Sequence, residues 1–504
     1  MTDRELLLEN NAKLKTIQET LKNKILALNG GEIEIELPEE FATANNIYHF
    51  VLDKDTILIS ADVMNIGVWL YKISDNIMEQ GTNIGLSWQF FQQVSNTKYL
   101  IGGTGSGILS YDTITNNFNR VYQSGATWNR FKILRNKVLI SSSASGTPGV
   151  ILYNIETDTA RLEYTTGSGW NVFQPVKNNC FIASTSSGSL GLLYFDDNND
   201  SITKIQSGNW QYFNVIDDND CLISGTSYGI LLYESSNNNI TVLYDIGNAW
   251  RYVNKVKNKY LITNDSTAVN DVGILLYNPT DKSIKQIYTK GNRWVKFKVV
   301  EDNCLISNTS SSYKGILLYK ADDESVTQVY ESGYNWGNFH IIGKDCLITD
   351  TSTNTVGVLL YNASDNTVTQ IYSSNYGWIY FKTIGENCLI AGNGSSSAGL
   401  LLYKSSDKSI TKIYTKGYDW KYFQIVTNGC LISSKSSTNS GLVFYNLNDY
   451  TATQIFSSGH NYDTFIADNN NYYIESSNKS INKYKLYYNS ADYSIKLVSY
   501  KLEV

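Results

Sequence analysis

The side chains that could do acid–base or metal chemistry are few and widely separated. His49, His340 and His460 are the whole histidine complement of this 504-residue chain. They map to or beside the start of the first strand in three different repeats, and nothing near them signals a partner for a His-centred triad or a His-held metal. The six cysteines, Cys180, Cys221, Cys304, Cys346, Cys388 and Cys430, occupy one place in successive repeats, inside the phrase Cys-(Leu/Phe)-Ile. Equivalent positions in neighbouring repeats lie a whole sheet apart, beyond the ~7 Å Cα separation that a disulfide tolerates. No Cys-x-x-Cys pair suggests zinc or redox chemistry, so small buried thiols of a reduced compartment are expected. Carboxylates are scattered through turns, where Asp stays solvated. Two carboxylates on a propeller can cleave a glycosidic bond, yet no such pair stands out; neither an enzyme nor a cofactor is expected.

The repeated aromatic residues invite a binding role first. Trp88, Trp128, Trp170, Trp210, Trp250, Trp294, Trp336, Trp378 and Trp420 recur every 40 to 44 residues, with Tyr462 next in the series. A second marker runs in phase, the Tyr that closes each Gly-x-Leu-Leu-Tyr phrase, from Tyr71 to Tyr445, with Tyr487 a weaker eleventh. A residue fixed in every repeat is expected to pack between sheets instead of stacking on a ligand. Each buried Trp removes about 150–250 Å² from water, or ~4–6 kcal/mol at ~25 cal/mol/Å² before entropy.

The elements that carry these markers read as strands. From Trp378 the chain runs Trp-Ile-Tyr-Phe-Lys-Thr-Ile, a turn at Gly385-Glu386-Asn387, Cys-Leu-Ile-Ala, a Gly/Ser loop, Gly-Leu-Leu-Leu-Tyr, a turn at Ser405-Ser406-Asp407, then Ser-Ile-Thr-Lys-Ile-Tyr. That is four short strands, a to d, with b and c apolar on both faces and d mixed like an outer edge. The expected fold is all-β, a β-propeller of about ten to eleven four-stranded blades with a period near 42 residues, preceded by an N-terminal α-helix. The layout resembles WD-repeat propellers in its Gly-ended turn, Leu-Ile-Ser strand and Gly-led strand ending in an aromatic. Leu-Tyr stands where that family has Trp-Asp, and the Gly-His pair remains only at Gly459-His460. The resemblance implies the strand order alone.

The residue after the strand-a Phe is polar in nine consecutive repeats: Gln92, Lys132, Gln174, Asn214, Asn254, Lys298, His340, Lys382 and Gln424. If strand a is innermost, these residues are expected to line a water-filled channel. Val51 and Ile466 hold that place in the first and last repeats, which are therefore expected to meet at ring closure or to cap an open array. Eleven blades exceed the usual four to eight, leaving one ring, two rings and an open superhelix as alternatives.

Before the repeats, residues 3–29 read as one helix, with a capping box at Thr2 and Glu5 and a stop at Asn29-Gly30-Gly31. Leu7, Leu14, Leu21 and Leu28 fall seven apart, so residues 1–31 are expected to oligomerise or dock, 32–45 to link, and 46–504 to form the array. The net charge of −6, with pI near 5.3, argues against a nucleic-acid partner. The start Met1-Thr2-Asp3-Arg4-Glu5 lacks a signal peptide's basic and apolar regions, and no apolar run approaches the ~18 residues of a membrane span.

In an antiparallel a–d sheet the a–b and c–d turns share one end and the b–c and d–a loops the other. The first set is short and monotonous. The second varies, and it carries Tyr, Asn, Ser and Gly, the residues of adaptable binding loops. Tyr228, Arg293, Tyr313, Tyr334, Asn335, Tyr376, Tyr418, Asp419 and His460 are the candidate binding residues. A helix, a Gly-Gly linker and an Asn/Ser/Tyr-rich β array together are similar in plan to bacteriophage tail fibre and receptor-binding proteins. That resemblance implies a virion-tail protein assembled in the bacterial cytoplasm, a homo-oligomer docked by its helix on tail or baseplate proteins, and a host surface glycan or protein as target. The alternatives are a cytoplasmic scaffold for protein partners and a free lectin.

Overall fold

A computed structural model describes residues 37–501, except 54, 63–65, 84–86, 106, 124–125, 143–148, 168, 185–190, 217–219, 226–228, 247–248, 265–272, 292, 310–313, 334, 351–356, 374–376, 393–398, 418, 427, 435–440, 457–461, 469–470, 477–481 and 490–493, with side chains up to 455. The helix expected over residues 3–29 lies outside the described residues. Two compact units divide the chain, Met1–Ala249 and Trp250–Val504.

Each unit holds five four-stranded antiparallel sheets in simple a-b-c-d order. The repeat spelled out from Trp378 forms strands Trp378–Ile384, Asn387–Gly392, Leu400–Lys404 and Ser409–Tyr414, and the other nine follow the same grammar. Strands b and c are buried almost throughout and strand d is largely exposed, as the apolar and mixed sequence runs require. Two departures recur. A bulge follows the strand-a Trp in eight sheets, as between Trp378 and Tyr380, and another opens the c–d pairing, as between Leu400 and Leu401. Where an eleventh blade is expected, the chain forms four strands hydrogen-bonded in two pairs, Tyr462–Asp468 with Asn471–Ser476 and Asn482–Asn489 with Ser494–Lys501, the second and third strands lying side by side. That stretch lacks both the Cys-Leu-Ile and the Gly-Leu-Leu phrases that build strands b and c elsewhere. The described residues therefore contain ten complete sheets.

Within each unit, consecutive sheets pack face to face around the repeated Trp. Trp336, fully buried, joins Leu305, Ile316 and Leu318 of the sheet before it to Cys346, Ile348 and Leu359 of its own. Its ring meets Tyr330 edge-on at 5.7 Å, and the same pair recurs at Tyr372–Trp378 and Tyr414–Trp420. The strand-c tyrosine closes the c–d turn: Tyr71, Tyr111, Tyr153, Tyr233 and Tyr361 donate to Asn76, Asn116, Asp158, Asn238 and Asn366, each with positive φ.

A polar latch joins consecutive sheets at the turn end. The first residue of strand b reaches that left-handed turn in the next sheet: Lys137 pairs with Asp197 and Asp200, Asn303 donates to Asn366 Oδ1 at 2.9 Å, Lys259 pairs with Glu324, and Asp345 pairs with Lys408. On the first sheet the chain itself covers one face. Leu37, Phe41 and Ala44, from the stretch expected to link, are buried against Ile57, Ile59 and Tyr71, with Phe41 edge-on to Trp69 at 6.0 Å. The opposite face, through Leu58 and Leu70, packs on the second sheet.

The nine polar residues expected to line a water channel are half-buried. His340 stacks on Phe381 of the next sheet at 5.1 Å, with Nε2 2.7 Å from Thr383 Oγ1. Gln92, Gln174 and Gln424 turn their amides onto the carbonyl of the following residue. Asn254, like His340, reaches the next sheet, its amide nitrogen 3.9 Å from Cys304 Sγ.

Candidate functional site

The loop end is built on a rigid frame. Five strand-a tryptophans donate the indole N–H to a carbonyl of the d–a loop before them: Trp170 to Thr166 O at 3.2 Å, Trp210 to Ser207 O at 3.0 Å, Trp294 to Lys290 O at 3.1 Å, Trp336 to Ser332 O at 3.2 Å and Trp420 to Lys416 O at 3.3 Å. A glycine ahead of strand c fastens the b–c loop to the d–a loop, with Gly315 N–H donating to Gly333 O at 2.7 Å and Gly399 N–H to Gly417 O at 3.1 Å. The hydroxyls of Ser307 and Thr349 donate to the backbone carbonyls of Trp336 and Trp378 in the next sheet. The variable loop residues thus rise from positions tied within and between sheets.

Three of the candidate binding residues fall on described positions, and all three precede a strand-a Trp with positive φ: Arg293 at 58°, Asn335 at 65° and Asp419 at 56°. Their backbones take part in the frame, since Asn335 N–H donates to Asn308 O and Asp419 N–H to Gly392 O, both at 3.1 Å, while Arg293 O accepts from Thr309 N–H at 3.3 Å. Each belongs to a different loop, and nothing brings the three together. Tyr228, Tyr313, Tyr334, Tyr376, Tyr418 and His460 lie outside the described residues.

Around Asp419 a cluster forms that sequence reasoning missed. The Tyr380 hydroxyl, in the preceding sheet, is near the Asp419 carboxylate; burial, then the charges of Asp419 and Tyr422, push the Tyr380 hydroxyl above its ordinary value. The Lys421 ammonium lies 5.6 Å from the centre of the Tyr422 ring. Both tyrosines stand two places after a strand-a Trp, where the bulge turns them, and Tyr212 and Tyr252 hold the same place in their sheets. Arg251 covers Tyr252 at 5.6 Å as Lys421 covers Tyr422. The available signal was the Trp-x-Tyr spacing.

A carboxylate, phenols and a cation set beside aromatic rings can hold hydroxylated or peptidic ligands by hydrogen bonds and ring contacts. The other reactive side chains sit elsewhere. All six thiols are buried, and burial pushes each up to about 12, which makes them poor nucleophiles. Burial, then the Lys298 charge, holds the His340 imidazole below its usual value. No group of three His, Cys, Asp or Glu among the described residues could hold a metal ion, and no described helix is long and apolar enough to cross a membrane.

No protein-family model matches the chain. No curated protein matches it either. Among solved structures it has a distant likeness to the extracellular domain of a one-component system of B. thetaiotaomicron, at 13% identity over 93% of this chain and 73% of that one, with TM-score 0.24. It is also similar to PorZ, a bacterial surface component of the type-IX secretion system of Porphyromonas gingivalis, at 9% identity over 88% and 72%, with TM-score 0.27. A third likeness is to the tricorn protease, at 9% identity over 92% of this chain, TM-score 0.29; the chain spans only 62% of that protein's length. Likeness this low transfers no function and no arrangement of sheets.

Proposed function

We propose that this chain is a binding protein, propeller-like in its sheets, that meets its target with the end formed by the b–c and d–a loops. The reading rests on one observation, a uniform frame that carries non-uniform side chains. The frame repeats from sheet to sheet through the Trp indole, the glycine bond and the left-handed residue, while the residues it presents change from Arg293 to Asn335 to Asp419 with Tyr380, Lys421 and Tyr422. Constant backbone with variable tips is how a scaffold positions recognition. The target we favour is a host-cell surface glycan or protein, with the chain carried on a phage or phage-tail-like particle through its N-terminal segment.

The test is binding of the purified chain to fixed bacterial cells and to a glycan array, for wild type and for Tyr380→Ala/Asp419→Ala/Tyr422→Ala. Loss of at least tenfold in affinity at unchanged melting temperature is expected. Undiminished binding by a folded triple variant overturns the assignment of this end.

A further inference from the structure

Away from the loop end, at the turn end of the first unit, a cleft of about 370 Å³ opens between the third sheet and the c–d turn of the fourth. Asn154, Thr157, Thr159 and Arg161 come from strands c and d of the third sheet and the turn between them; Lys137 comes from its strand b, and Asp200 from the fourth sheet's turn. The volume suits a small ligand, since such sites begin at roughly 300 Å³.

Comparison with the other sheets explains why space remains here. At the corresponding place between the second and third sheets, Ser110 and Asn119 both bond the Asp158 carboxylate at 3.0 Å and fill the gap. Between the fourth and fifth, Tyr194 reaches Asn238 Oδ1 at 3.1 Å. In the third sheet the residue matching Ser110 and Tyr194 is Leu152, which cannot bond a turn. Arg161, matching Asn119, is drawn aside, its Nε donating to Glu163 Oε2 and its Nη2 to the Asp200 carbonyl, both at 2.7 Å.

The charges decide the ligand's chemistry. Lys137 and Arg161 supply two positive charges at the cleft, and Asp197, Asp200 and Glu163, their direct partners, supply three negative ones. Each of these charges is already engaged in an ion pair within the protein, so neither an anion nor a cation finds a free charge to neutralise it. Hydrogen-bonding capacity is mixed, with donors on Arg161, hydroxyls on Thr157 and Thr159, and an acceptor in Asp200. A hydroxyl that both donates and accepts suits that mixture, and Leu152 offers an apolar floor to C–H groups. We infer that the cleft between Arg161 and Asp200 is a binding site for a neutral, polyhydroxylated ligand of one or two sugar rings.

Saturation-transfer NMR on the full-length chain tests this, with glucose, galactose, mannose and their common disaccharides as probes and inorganic phosphate and citrate as anionic ones. Transfer to at least one neutral sugar is expected, with affinity lowered about tenfold or more in Arg161→Met and in Thr157→Val/Thr159→Val. Glu386→Gln, an exposed turn residue outside both proposed sites, should leave it intact. The second variant guards against an Arg161→Met protein that fails to fold. Absence of transfer from every neutral sugar, transfer unchanged in both folded variants, or binding of phosphate or citrate in preference to sugars overturns the inference.

Discussion

The Lys408 ammonium lies 2.8 Å from the Asp345 carboxylate, and this pair reverses the polarity of Lys137 with Asp197 and Asp200 and of Lys259 with Glu324 at the same place between earlier sheets. The position is complementary from one sheet to the next while its signs change, so a sheet set beside the wrong neighbour meets a like charge or an unmatched amide. The strand-a tryptophans and strand-c leucines change little from repeat to repeat and cannot supply that discrimination.

Charge exchange at this latch tests it. Lys408→Asp should destabilise the second unit by about 1–2 kcal/mol, because two carboxylates then face each other where Asp345 is mostly buried. Asp345→Lys/Lys408→Asp should recover more than half of that loss. Chemical unfolding followed by Trp fluorescence gives the four corners of the cycle, and a double variant no better than the sum of the singles removes the latch as a specific pair.

The glycine ahead of strand c should be intolerant in a way that other left-handed glycines are not. Gly273 has φ +68°, and a Cβ there would lie 1.7 Å from the Tyr288 carbonyl oxygen; Gly343 has φ +59° with nothing within 4 Å. Gly343→Ala therefore bears only the left-handed penalty, about 1 kcal/mol. Gly273→Ala adds a collision with backbone and should cost about 3 kcal/mol or more. Equal melting temperatures for the two variants would count against a close-packed b–c to d–a junction.

Much of the fold was legible because it is local and repeated. The period, the four-strand grammar and the buried role of Trp336 or Trp378 follow from apolar runs and turns within one 42-residue window. What escaped reading depends on partners farther off. Asp345 and Lys408 are 63 residues apart and meet only across two sheets, and Tyr380 finds Asp419 in the same way. The half-burial of His340 was missed because its neighbour Phe381 belongs to the next sheet. The eleventh repeat, marked by Tyr462 and Tyr487, keeps four strands but pairs them in twos, where the Cys-Leu-Ile and Gly-Leu-Leu phrases are missing.

Acid sensitivity of the second unit should arise at its exposed turns. Asp281, Asp323, Asp365 and Asp407 sit below the ordinary carboxylate value, held there first by the hydroxyl and then by the backbone N–H of the Ser or Thr two residues on; for Asp449 the Thr451 N–H leads. The distances repeat, with 3.0 Å to the Ser409 N–H and 2.7 Å to its hydroxyl from Asp407. Because the folded pKa lies below the unfolded value of about 3.9, the unfolded chain binds more protons in that window. The contribution is complete above the unfolded value and is lost as pH falls through the depressed folded values. Melting temperature should therefore hold from pH 7 to 5 and drop below about pH 4. Substituting Asn at all five positions keeps an acceptor oxygen for the turn but removes the titration, so the acid limb should flatten. Hydrogen bonds, unlike long-range charge effects, survive salt, and the difference between wild type and variant should persist at high ionic strength. An acid limb equally steep in the five-fold Asn variant would place the sensitivity elsewhere.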